Sequence, residues 1–400
     1  MQVKKLDNCL VPIKAWTSFD DIEESALVQI KNCATLPFVF HHIAVCPDVH
    51  CGYGVSIGTV FPTKDVIIPF AIGSDIGCGV QTVRTSLTPD DIDNETIKKI
   101  FGGSKEYQGG IRTRIPVGFS HHSKKKGKEW LPRVPLGKNL TIVEEYYEAA
   151  RKQIGTLGGG NHFIEIQKGD DGFIYIMVHS GSRNIGYRVA QNYNAMAINL
   201  NEKWYSSVPK KWQLAFLPLN SKEGQDYLDE MQYCVEFAHM NRNLMIKNIC
   251  ESIDEVVAGV TYDAHLDIAH NFAAMEHHFG KNVMVHRKGA TKAYKGQLGI
   301  IPGSQGTSSY IVEGLGNPES FYSCSHGAGR RMSRTKAKNE LDLAAEIKHM
   351  NDQGIVHGLR TANDLDEASG AYKDIENIML LQRDLVEIKV KLTPLAVIKG

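Results

Sequence analysis

GFIYIMVHSGSRNIGYRVAQNYNAMAINLNEKW (residues 172–204) passes from an apolar run at 172–179, through a Ser/Gly turn, into a helical pattern from about Arg188 to Trp204. The first part is short, rich in β-branched and aromatic residues and stopped by glycine, as strands are. The second repeats its apolar residues every three to four positions, the spacing of a helix face. Similar strand-like runs are HIAVCPDV (42–49), GVSIGTVF (54–61), DVIIPFAIG (65–73), NVMVH (282–286), QLGIIPG (297–303) and SSYIVEG (308–314). Further helical periodicity covers Leu140–Ile154 and about Gly224–Ile253. Strands dominate some stretches and long helices others, without regular alternation. That predicts one α+β domain over residues 1–400 rather than a doubly wound sheet.

Composition narrows the class. A chain of 400 residues, 42% hydrophobic and 22% charged, is that of an ordinary globular protein. No apolar run approaches the ~20 residues of a membrane helix. MQVKKLDNCLVPIKAW at the start lacks the apolar core of a secretory leader, so a cytoplasmic protein without membrane contact is expected. Eight cysteines include no CxxC pair, which argues against a zinc ribbon or a thioredoxin-like motif. Forty-five basic residues balance 45 acidic ones, so only local patches can argue for a nucleic-acid partner. One candidate is 101–138, rich in Gly, Ser, Lys and Pro, which reads as an exposed basic loop or flap. Its Lys124, Lys125 and Lys126 are candidate contacts to a phosphate backbone.

Turn-like segments rich in glycine, or in His, Cys, Asp or Asn, or in both, recur seven times: PDVHCGYG (47–54), SDIGCGV (74–80), GGGNHFIE (158–165), VHSGSRNIG (178–186), AHNFA (269–273), PGSQGTSSY (302–310) and CSHGAGRR (324–331). Glycine lets the backbone approach a ligand closely, while His, Cys and Asp bind cations or attack phosphorus. Asp75 and Cys78 are three apart on one such turn. With His162, His179 and His270 they would complete a compact site for two cations bridged by a thiolate. That donor set suits zinc at least as well as manganese. No GxxxxGK[ST] loop occurs, so a nucleotide would have to be bound and activated in another way. His326 is the candidate nucleophile: an imidazole can form a phosphoramidate, and Gly-Ala-Gly after it can cradle the phosphate. Arg330, Arg331 and Arg334 add positive charge nearby.

DIGCG (75–79), GGGNHFIE, HSGSRNIG (179–186), AHN (269–271), HRKGA (286–290), IIPGS (300–304), HGAGR (326–330), AYKDI (371–375) and the terminal VIKG stand in the order found in the RtcB RNA ligases. The resemblance to that family runs from about Trp16 to Lys399. It implies a first Mn²⁺ held by Asp75, Cys78 and His162, and a second held by Cys78, His179 and His270. It also implies that His326 becomes guanylylated by GTP. Asn161, His162, Phe163, Ile164, Glu165, His270, Asn271, Pro302, Gly303, Ser304, Gln305, Ser309, His326, Gly327, Ala328, Gly329, Tyr372 and Lys399 match positions lining the guanylate. Arg183 matches a contact to the RNA end. The partners implied are GTP and an RNA with a 3′-phosphate or 2′,3′-cyclic phosphate end and a 5′-hydroxyl end. Need for the activating protein archease is left open. Gln305 stands where the family usually has methionine, and Cys51 where many members carry no thiol.

The expected activity is therefore GTP- and Mn²⁺-dependent joining of such RNA ends, in tRNA splicing or RNA repair. Two rivals use the same residues. A dinuclear metallohydrolase, such as a cyclic phosphodiesterase, leaves His326, the PGS turn and Lys399 without a task. A noncatalytic RNA-binding protein with structural metal predicts RNA affinity without nucleotide turnover.

Overall fold

The computed structural model describes residues 1–400. Two large sheets carry the fold. The seven-stranded sheet runs in the order Tyr262–Ala269, Gly79–Thr85, Ile174–Ser180, Phe163–Gly169, Val386–Lys399, Ser309–Gly314, Leu298–Ile301, with antiparallel neighbours throughout. Its two edge strands approach each other, so the sheet curls into a nearly closed barrel. The six-stranded sheet runs Gln2–Lys4, Ile13–Ala15, Ile43–His50, Ile57–Thr63, Lys281–Lys288, Asn271–His278. The molecule is α+β.

Every residue of the central strand Ile174–Ser180 is buried, which is why it reads as a continuous apolar run instead of alternating. Ile164, Ile166, Ile176 and Val178 pack on one side of the sheet against Met245, Ile246 and Ile249 of the long helix Lys222–Asp254. That helix, with Thr141–Gln153 and Arg183–Lys203, also builds a second apolar cluster around Phe237, Tyr227 and Val189. No helix is long and apolar enough to cross a membrane.

The expected helices at 140–154 and 224–253 form within two residues of those bounds. The third begins at Arg183, five residues before the expected Arg188. Its first turn contains Gly186, where an added Cβ would lie 1.8 Å from Ser182 Oγ, so glycine is there for packing although it reads as loop. DVIIPFAIG is a strand only at Val66–Ile67. Pro69, which cannot supply a ladder N–H, opens a 3-10 turn over Pro69–Ile72. The 101–138 segment is exposed at Lys124 and Lys125, but Ile111, Ile115 and Leu131 anchor it in the core. It is therefore pinned at several points, including Lys126 N–H to the Arg151 carbonyl at 2.8 Å and His122 N–H to the Lys152 carbonyl at 3.0 Å.

Candidate functional site

The ladder register of the seven-stranded sheet lines up one end of five neighbouring strands. Ala269 pairs with Gly79, Gly79 with Ser180, His179 with Phe163, and Phe163 with Lys399. His270, Cys78, His179, His162 and Lys399 therefore lie side by side along one rim, although up to 321 positions separate them in sequence. His270 is the single residue between the last strand residue of one sheet (Ala269) and the first of the other (Asn271), and its N–H donates to the Cys78 carbonyl at 2.9 Å. Asp75 and Cys78 are presented by a turn that packs on the long helix. Gly77 has φ +73°, and a Cβ there would come within 2.7 Å of Val235 Cα, so both the conformation and the close approach require glycine.

Side chains converge accordingly. Cys78 Sγ is 3.3 Å from His179 Nε2 and 3.5 Å from His162 Nε2, and His162 Nε2 is 3.0 Å from Asp75 Oδ2. Two groups, Asp75–Cys78–His162 and Cys78–His179–His270, each hold their donor atoms within 4.8 Å of one another, with the thiol common to both. His162 Nδ1 donates to the Leu157 carbonyl at 2.8 Å, which turns Nε2 toward the cluster. Burial drives His179 and His270 far below the usual imidazole range, keeping them neutral. Burial drives the Cys78 thiol well above its usual range, so its thiolate forms only beside a compensating cation. Burial alone would raise Asp75, but His162 holds its carboxyl below the ordinary value. His270 Nδ1 is buried without a hydrogen-bond partner. Three imidazoles, one of them with an orphaned ring nitrogen, a shared thiol and a carboxylate fit a pair of divalent cations.

His326 lies next to this cluster, its ring centroid 4.8 Å from that of His270. Fully buried Asp48 accepts both His326 Nδ1–H at 2.6 Å and His326 N–H at 3.2 Å. With the proton on Nδ1, the Nε2 lone pair is free for attack. The HGAG loop reaches Asp48 so closely that a Cβ on Gly329, at φ +72°, would lie 2.1 Å from the Asp48 carbonyl oxygen.

Two cavities meet at Asn161 and His326. One is lined by Phe163, Glu165, Pro302–Gln305, Gly327–Arg330, Tyr372 and Lys399. Burial pushes Glu165 up to about 8 and pushes the Lys399 ammonium down, and both side chains line that cavity. Glu367 binds Arg330 at 2.9 Å, Arg334 at 2.6 Å and the Tyr372 hydroxyl. The other cavity contains Asp75, Cys78, His270, Asn271 and Lys288, whose ammonium burial pushes down to about 8.

Most of the expected residues are thus gathered, with exceptions. Ile164 points to the opposite face of its strand from Phe163 and Glu165 and packs among Ile166 and Val178, because side chains alternate along a strand. Ser309 does not line the cavity wall: its hydroxyl accepts Gly303 N–H at 3.1 Å from beneath the PGS turn. Asn271 lines the second cavity and ties it together, donating to the Asp75 carbonyl at 3.2 Å and accepting Gly289 N–H at 2.9 Å. Arg183, at the left-handed φ of +59°, donates to Thr156 Oγ1 at 3.1 Å and to the Gly118 carbonyl at 3.2 Å. Lys124–Lys126 line neither cavity, and Lys125 is paired with Glu148 at 2.8 Å. Gln305 is buried and donates to the Glu367 carbonyl at 2.9 Å, so its side chain as well as its backbone has a partner. Cys51 is exposed at the cavity mouth, in neither ligand group. Sequence reasoning misses Asp48 and Glu367. Asp48 sits in the PDVHCGYG turn, whose presence is a signal; Glu367 lies in ordinary polar sequence and gives none.

Comparison with known proteins agrees with this geometry. Residues 29–400 match the family model described as tRNA-splicing ligase RtcB. The chain is 38% identical over 409 residues to the RNA-splicing ligase RtcB of Escherichia coli (strain K12), covering 97% of each chain. It is 32% identical to the tRNA-splicing ligase RtcB of Nanoarchaeum equitans, covering 100% of this chain and 97% of that one. It is 34% identical to the RNA-splicing ligase RtcB homolog 1 of Entamoeba dispar, over 94% of this chain and 82% of that one. With a matching model over nearly its whole length and relatives in three domains of life, the chain belongs to the RtcB family.

Proposed function

We propose that the protein is a GTP-dependent RNA ligase that seals 3′-phosphate or 2′,3′-cyclic phosphate ends to 5′-hydroxyl ends, with His326 as the residue that carries GMP. The observation that supports this best is the Asp48–His326 pair beside a shared-thiol cluster: an imidazole with one nitrogen locked to a buried carboxylate and the other free. His326 Nε2 attacks the α-phosphorus of GTP, the bond to the β-phosphate bridging oxygen breaks, and pyrophosphate leaves. His326 keeps its Nδ1 proton, and Asp48, which accepts the hydrogen bond from it, stabilises the cation that develops on the ring. An oxygen of the RNA 3′-phosphate then attacks the same phosphorus, the N–P bond breaks, and the RNA carries a ppG end. The 5′-hydroxyl of the second RNA attacks the 3′-phosphate, and GMP departs.

Asp75, Cys78, His162, His179 and His270 would hold two cations, proposed to be Mn²⁺, which when bound neutralise phosphate charge and supply an activated water to open a cyclic phosphate. Glu165 and Lys399 offer an acceptor and a donor matched to the N1–H/N2–H₂ edge and O6 of guanine; adenine presents neither in that order. The Tyr372 ring beside Arg330 supplies a face for the base, and the HGAG backbone cradles the phosphate. Asn161, at the junction of the two cavities, is proposed to contact both partners in transfer. Arg183 and Lys124–Lys126 are assigned to RNA. Eight unpaired cysteines suit a reducing, cytoplasmic setting.

The test is ligation of a 3′-phosphate RNA to a 5′-hydroxyl RNA with Mn²⁺, with and without GTP. A sealed product that needs GTP is expected. Opening of cyclic phosphates without sealing, unchanged by GTP or by added archease, would instead establish the phosphodiesterase.

A further inference from the structure

Arg242 lies midway along the helix Lys222–Asp254 and is 1% exposed. A buried guanidinium must find acceptors, so hydrogen bonds alone would not single it out. What singles it out is which groups it takes. Arg242 Nη1 donates to the Gly77 carbonyl at 3.0 Å and to the Ser180 carbonyl at 2.8 Å, and Arg242 Nε donates to Asp267 Oδ1 at 2.8 Å. Gly77 immediately precedes Cys78, Ser180 immediately follows His179, and Asp267 stands three residues before His270. One side chain therefore joins the three segments that carry the Cys78–His179–His270 group.

Its neighbour reaches a further segment while sharing one with Arg242, since Asn241 Nδ2 also donates to the Gly181 carbonyl at 3.2 Å. Asn241 Oδ1 accepts Gly155 N–H at 2.7 Å and Thr156 N–H at 3.1 Å. Asn241 Nδ2 donates to Ser180 Oγ at 3.0 Å, and that hydroxyl donates to the Leu157 carbonyl at 2.7 Å. The Leu157 carbonyl is the one that accepts His162 Nδ1–H at 2.8 Å. Asn241 thus fixes the acceptor that sets the ring of His162, a residue that belongs to the Asp75–Cys78–His162 group.

We propose that Arg242 and Asn241 are positioning residues that brace the metal centre from one helix: Arg242 chiefly the Cys78–His179–His270 half, and Asn241 chiefly the His162 side of the Asp75–Cys78–His162 half, with the Ser180–Gly181 turn held by both. Consecutive residues on one rigid helix then hold the two cation sites in register around their common thiol. The inference rests on the reading of these residues as a two-cation centre.

The experiment is titration of purified apo-protein with Mn²⁺ by calorimetry, and with Co²⁺ by absorption, alongside a melting curve of each apo-variant. Wild type should take two equivalents; failure to bind any would defeat the metal-centre reading itself, before the bracing is addressed. Arg242→Met should weaken the class that contains His179 and His270 most, by about 10- to 100-fold, and the other class less. Asn241→Ala should instead weaken the class that contains His162 most, by a similar factor. In the Co²⁺ spectra, both variants should keep a thiolate charge-transfer band, each from the half it retains. Should Arg242→Met fail to fold, Arg242→Lys and Asp267→Asn are read in its place, with the lysine variant intermediate. A lower apo melting temperature with both affinities unchanged would reduce Arg242 to a structural residue and overturn the proposal. So would both substitutions weakening the same class most.

Discussion

The rim of the seven-stranded sheet and the 101–138 segment both carry polar residues singled out in the sequence, yet the fold treats them in opposite ways. At the rim, His162, His179 and His270 are at most 5% exposed and are placed by strand register, so each has one available position. In the 101–138 segment, Lys124 and Lys125 stand in solvent on a loop held by a few backbone contacts. Buried groups with preset partners act as a unit, and removing one disables the rest. Exposed lysines act through summed charge, and removing one should shave off a fraction of it.

The largest effect that the comparison predicts is at the shared thiol. Cys78→Ala should lose both cations and all activity, and a metal analysis of the purified variant checks it; two equivalents still bound would break the rim's claim to act as a unit. Next comes Asp48→Asn, which keeps shape but presents an N–H to His326 Nδ1 and drives the ring proton onto Nε2. Transfer of GMP to the protein should fall by ~10²- to 10⁴-fold with metal content unchanged. A wild-type rate would remove Asp48 from the mechanism.

Glu165 sharpens the picture through pH. Burial raises it to about 8, so in the free protein it is mostly neutral at neutral pH. If guanine is held by the carboxylate, binding must first ionise it. GTP affinity should then rise with pH by up to about tenfold per unit below that value and level off above it. Glu165→Gln should bind weakly and show a flat profile between about pH 6 and about pH 8.5. A steep rise in that variant would assign the dependence to another group.

The smallest effect belongs to the loop. Lys124, Lys125 and Lys126 changed together to Ala should leave GMP transfer intact and stability within about 0.5 kcal/mol. RNA affinity should weaken modestly, and its log–log slope against salt should become shallower by at most about 0.7 for each lysine replaced. Unchanged RNA binding at low salt would show that the loop only covers the domain.

Legibility in the sequence follows the same division. The metal-type ligands and His326 were readable because glycine-rich turns flank them, and glycine at a φ or contact that no other residue tolerates is a local signal. The fully buried strand Ile174–Ser180 was readable as an apolar run, whereas Tyr262–Ala269, Asn271–His278 and Val386–Lys399 were not. Those strands mix buried and exposed positions with charged residues, and Pro394 interrupts the last, so no clean period survives. Barrel closure was also invisible, since it depends on pairings between strands far apart in the chain. Within the site, Glu367 and Arg242 escaped for one reason: each sits in helical or turn sequence of ordinary polarity, and only tertiary packing reveals that it is buried among functional groups. The sequence offered Ile164 as a lining residue through its motif, but strand alternation sends its side chain into the core.

The central claim is that His326, held by Asp48 beside the Cys78 cluster, is the residue that accepts the nucleotide. Incubating the protein with Mn²⁺ and α-labelled GTP, in parallel with His326→Ala, tests it directly. The account predicts acid-labile label on the wild type alone, with the same metal content in both proteins. Label of equal amount on the His326→Ala variant would contradict it and place the nucleophile elsewhere.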